Sequence, residues 1–216
     1  SGLISASGDA QLRTGDLDNS AGRLLGNQHL HLQAGQITSQ QGRIASADAL
    51  RIDASGLEQQ GGELFSQSSL SLDLNGGDLN NDSGLLHAPG ALLLNNLGAV
   101  SNRGGEISSN QGFALHAEQL DNTAGRLLSE QTLSLSSADG IDNQAGLIQG
   151  QQVHLAGHGL DNRSGTLLAA EDLSLHLSAE LNNTATGVIQ AGAGLVLHGG
   201  EVDNRGGDLL AGQSLA

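Results

Sequence analysis

Leu17-Asp18-Asn19-Ser20-Ala21-Gly22-Arg23-Leu24 returns, almost residue for residue, as Leu120-Asp121-Asn122-Thr123-Ala124-Gly125-Arg126-Leu127. Aligned on the leading aliphatic, the same unit starts at 17, 37, 57, 79, 100, 120, 141, 160, 181 and 202, with steps of 19–22 residues. Repeats of this period mark a solenoid. The consensus is aliphatic-x-Asn-x-x-Gly-x-aliphatic-x-small, followed after a short gap by aliphatic-x-aliphatic. Pairs such as Leu30/Leu32, Leu70/Leu72, Phe113/Leu115 and Leu173/Leu175 are spaced by two, which places both members on one face of a strand. No stretch carries the i, i+3, i+4, i+7 spacing of a helical repeat. The period is β.

One unit cannot fold alone. Its four aliphatics contribute roughly 6–12 kcal/mol of burial, whereas ordering about twenty backbones costs roughly 20–40 kcal/mol. Each coil must therefore add its strands to the coil below. The expected fold is an all-β parallel β-helix with three faces and about ten coils, in one repeat region over 1–216 whose first coil, 1–16, is incomplete. Leucine-rich repeats are excluded because their Asn follows the last Leu by three residues, while here Asn143 follows Leu135 by eight. A hexapeptide helix needs coils of about eighteen residues, and the Thr-x-Thr of antifreeze-type solenoids occurs only at Thr184/Thr186.

Composition narrows the function. Glycine fills 33 of 216 positions, about twice the usual ~7%, while proline is a single residue and the aromatics are Phe65 and Phe113. Asp plus Glu is 23 against 8 arginines and no lysine, a net charge of −15 that repels phosphate backbones and anionic membranes. No nucleic-acid partner is expected, and no apolar run approaches the ~20 residues of a membrane helix. Cysteine is absent, so disulfides and thiolate metal sites are excluded. The N-terminus lacks the regions of a signal peptide, and with no methionine anywhere the chain reads as an excerpt of a longer one.

The recurring Leu-Asp-Asn-x-x-Gly-x-Leu, again at Leu160-Asp161-Asn162-Arg163-Ser164-Gly165-Thr166-Leu167, followed by the Leu-x-Leu strand, resembles the repeats of filamentous haemagglutinins and contact-dependent growth inhibition exoproteins. The resemblance covers essentially the whole chain. It implies a right-handed winding, secretion to a Gram-negative cell surface through an outer-membrane two-partner secretion transporter, and a role as the shaft that presents a distal adhesin or toxin. The alternative is an adhesive face for a target-cell receptor or glycan, best placed at the irregular stretch Leu74 to Leu97. A polysaccharide-cleaving β-helix is the least favoured, because coils of such even length build no walls around a pocket.

Candidate site residues follow from their places in the repeat. Asn19, Asn81, Asn102, Asn122, Asn143, Asn162, Asn183 and Asn204 occupy the third position, with Ser39 and Gln59 as exceptions, and read as a structural amide ladder. The sixth position is always glycine, for a positive φ or for a backbone too close to admit a Cβ. Asp121, Asp142 and Asp161 stand in consecutive coils and could hold a divalent cation, although a solvated row with Asx-type turns is the plainer reading. His176 and His198 should stack outward in adjacent coils, as exposed filler before a metal or pH site. No catalytic residue and no cofactor is expected. Cut layers at Leu3-Ile4 and Leu209-Leu210 predict weak end-to-end self-association.

Overall fold

The computed structural model describes residues 2–216. Every strand pairs in parallel with its equivalent one coil away, and no helix occurs among the described residues. The first face holds ten strands, from Leu17–Asp18 to Glu201–Asp203, built on the leading aliphatics. The second holds eleven, from Leu3–Ala6 to Asp208–Ala211. The third is divided into a sheet of five strands and a sheet of six. The incomplete unit before Leu17 supplies strands to the second and third faces, so with the ten coils that follow it the solenoid has about eleven turns. At about 4.8 Å per coil, the rod is roughly 50 Å long.

The core is the stack of repeat aliphatics. Leading residues from Ile37 to Leu181, the eighth-position column from Leu24 to Ile189 and the paired residues of the third face from Leu30 to Leu195 are buried. Their register is unbroken within each sheet, as in Ile107↔Leu127↔Ile148 on the second face and Leu120↔Ile141↔Leu160 on the first. Phe113 points inward and is 5% exposed. The small tenth residue turns the chain from the second face to the third. Where it is serine, its hydroxyl donates to a backbone carbonyl one coil earlier: Ser66 to Asp48 at 2.6 Å, Ser109 to Gly90 at 2.8 Å and Ser129 to Gln111 at 2.9 Å. These bonds satisfy corner carbonyls that no strand can pair.

The third face divides at the coil that begins with Leu79. Elsewhere the residue two past the aliphatic pair turns inward, as Ala54 and Leu74 do, but here that place falls to Asn96, which adopts φ 49°. Leu97 takes the inward place instead, one residue late. This extra residue is a bulge. Leu92–Asn95 then pairs only backwards with Leu70–Asp73, and Phe113–Ala117 pairs only forwards. The same stretch leaves Leu93 on the outside, 54% exposed.

Candidate functional site

The Asn-x-x-Gly turn carries a buried chain of amides along most of the rod. Asn122 is fully buried, and its Nδ2 donates to Asn143 Oδ1 at 2.7 Å and to the carbonyl of Gly125 at 3.3 Å. Its own Oδ1 accepts from Asn102 Nδ2 at 2.7 Å. The chain of bonds is continuous from Gln59 through Asn81, Asn102, Asn122, Asn143, Asn162 and Asn183 to Asn204, and every amide donates toward the C-terminal end. The invariant glycine is explained by crowding. Its φ is ordinary, and the left-handed residue is the one before it, such as Ala124 at φ 54°. A Cβ on Gly125 would lie 2.6 Å from Asn122 Oδ1 and would strike the carbonyl of Asn102.

The ladder breaks once. Asn19 donates to Ser39 Oγ at 3.0 Å, but the serine does not continue the chain, and Gln59 Oε1 is buried without a hydrogen-bond partner. Gly42 and Gly62 are in place at both turns, so the space for standard rungs exists. The double replacement Ser39→Asn with Gln59→Asn should satisfy the orphaned acceptor and raise stability by about 1–2 kcal/mol. A higher urea midpoint at unchanged slope is the expected readout. An unchanged midpoint would mean that water already completes the gap.

The three aspartates singled out in the sequence are adjacent, in the register Asp121↔Asp142↔Asp161. Each is occupied by its own turn. Asp121 accepts from Thr123 N at 2.9 Å and from Arg103 Nε at 2.6 Å; Asp142 accepts from Gln144 N at 2.9 Å; Asp161 is held bidentately by Arg163. Burial raises the Asp121 carboxyl, but the bonds from Thr123 and Arg103 outweigh it and leave it below the usual carboxylate range. Among the described residues no three metal-ligating side chains converge. Beside this row, Gly140 and Gly159 floor an open groove of about 400 Å³ bordered by Asp142, Asp161, Glu180 and His158.

His176 and His198 lie with ring centroids 4.9 Å apart, tilted by 41°. Both face outward on the third face, as does His154, whose Nδ1 is 2.7 Å from Ser174 Oγ. Sequence reasoning missed a different histidine. His29 stands between two carboxylates of neighbouring coils, Nδ1 3.0 Å from Asp9 and Nε2 3.3 Å from Asp48. The signal was present in the spacing, since residues 9, 29 and 48 share one corner of consecutive coils. His31, two residues on, contacts Asp53 at 2.7 Å; Arg51 and then His31 hold that carboxyl below its usual range. At the divided third face, Leu94, Leu97 and Ala117 floor a groove of about 420 Å³ edged by Asn95, His116 and Glu118.

A family model described as the haemagglutinin repeat matches residues 1–56, 47–104, 90–185 and 172–216, overlapping segments that together span the sequence. Comparison with curated proteins and with solved structures found no match. The repeat match and the coil-by-coil register therefore agree from one end to the other, and the chain belongs to the haemagglutinin repeat family.

Proposed function

We propose that this chain is a length of rigid shaft in a secreted surface filament, holding a distal adhesin or toxin module away from a bacterial cell. The observation that carries the reading is continuity: two faces are hydrogen-bonded without interruption from the first coil to the last, and a buried amide chain runs beneath them from Gln59 to Asn204. A rod bonded coil to coil resists bending because every coil must break pairing on several faces at once. Membership of the haemagglutinin repeat family supports a secreted or cell-surface protein and a structural or adhesive role, and the reading assigns the chain no catalysis. Export through a two-partner secretion transporter of a Gram-negative outer membrane, with folding outside, completes the proposal. A cysteine-free chain threads without disulfides to obstruct it.

One observation favours a second reading, the adhesive face. Leu93 is exposed beside the groove at the divided third face, within the irregular stretch 74–97. A large apolar side chain left in water beside a concave groove adds buried apolar area to any contact made there. A cell-binding and glycan-array assay on this chain alone separates the two. The shaft reading expects no binding above that of an unrelated solenoid. Saturable binding that Leu93→Ser abolishes would replace it with the adhesive face.

A further inference from the structure

The second face differs from the first in its charge and from the third, whose strands also balance (Arg13 and Arg51 against Asp53 and Asp73), in being undivided. Its outward side chains form two columns in register along eleven strands. One column carries Arg23, Arg43 and Arg126 against Glu63, Glu106 and Asp208, so the face is neutral in a chain of net charge −15. Within it Arg43 pairs with Glu63 at 3.1 Å and Arg126 with Glu106 at 3.2 Å. The strands of the first face hold eight carboxylates and no cation. The third face is divided.

The other column of the second face reads Ser5, Leu25, Ala45, Phe65, His87, Ser108, Leu128, Gln149, Leu168, Gln190 and Leu210, with no carboxylate, arginine or lysine in any coil. Leu85, Leu147 and Val188 interrupt the charged column with further apolar side chains. All but Leu210 of these apolar residues are half-buried or buried by their own neighbours, which leaves a low, uncharged stripe in which apolar contacts alternate with small and neutral polar ones. Beside Leu168, Gly150 and Gly192 leave an open groove of about 320 Å³ that can receive a side chain from outside.

We propose that the second face is a side-by-side docking surface for a second copy of this chain. Charge and area both favour that occupant. A face with equal numbers of arginines and carboxylates is not repelled by itself, and pairing through it leaves the acidic first faces of both copies free of the contact. Strands of four residues, about 13 Å wide, stacked over roughly 50 Å, give about 650 Å² per copy, or about 1,300 Å² for the pair. That falls within the ~1,200–2,000 Å² of specific interfaces. The long-range repulsion between two acidic rods is screened by salt, whereas the contact itself carries no net charge, so salt strengthens the pairing.

The test combines sedimentation equilibrium with small-angle scattering over a concentration and salt series. The expected result is a reversible dimer with the longest dimension of the monomer and twice its cross-section. Leu168→Glu should weaken dimerisation at least ten-fold with an unchanged circular dichroism spectrum, and Leu128→Lys serves the same purpose should that variant lose its fold. Ser134→Glu, outward on the third face, should leave the dimer intact. A monomer at every concentration and salt overturns the proposal, as does a dimer of doubled length, which is end-to-end stacking. A side-by-side dimer that tolerates both stripe variants overturns it as well.

Discussion

Leu127→Asp is expected to abolish the cooperative fold of the coils around it. Leu127 is fully buried in the second face, packed between Ile107 and Ile148 of the neighbouring coils. A carboxylate there would be buried against aliphatic side chains with no cation among them, and a buried unpaired charge costs many times a typical contact. The loss should exceed about 4 kcal/mol, a large share of the ~5–15 kcal/mol by which folded proteins are stable. Leu128→Asp, one residue on and outward, should fold like wild type. Thermal and urea melts of the two variants check the inward–outward assignment directly. If Leu127→Asp melts like the parent, the assignment is wrong by one residue and every inward side chain of the strand with it.

Asn122→Ala carries the second large effect. It removes the acceptor of Asn102 Nδ2, the donor to Asn143 Oδ1 and the bond to the Gly125 carbonyl, all at a fully buried residue. Two stranded amide groups at about 1–3 kcal/mol each give a loss of about 2–6 kcal/mol. Asn204→Ala strands the donor of Asn183 and the Gly207 carbonyl but no following rung, and Asn204 itself is partly exposed, so its loss should be several-fold smaller. Urea denaturation of both variants measures the gradient. Equal small losses at the two positions would show that the amides contribute nothing beyond their hydration.

The core was legible in the sequence because burial in a solenoid repeats every coil. A leading aliphatic that recurs ten times, from Leu17 to Val202, averages out the accidents of any one unit. The bulge at Asn96 was not legible in that way. Its coil is only one residue longer than several others, and length does not say whether Leu92–Asn95 still bonds to Phe113–Ala117. The glycine rule was legible as a rule but not as a cause. Two causes predict the same invariant residue, and only the placement of Asn102 O against Gly125 separates them. The aspartate row and the histidine stack were both placed in adjacent coils by the period, yet their chemistry depended on residues that do not repeat. Arg103 and Arg163 engage Asp121 and Asp161, and no repeat pattern announces them. His29 was overlooked because its carboxylates, Asp9 and Asp48, come from the most variable corner of the coil.

The central claim is that these coils form one stiff rod rather than a compact globule. Small-angle scattering on dilute chain measures it most directly. The account predicts a pair-distance distribution skewed toward short distances with a tail ending somewhat beyond the roughly 50 Å stack of coils, together with a cross-sectional radius that stays constant along the particle. A symmetric, bell-shaped distribution with no linear cross-section regime would contradict it.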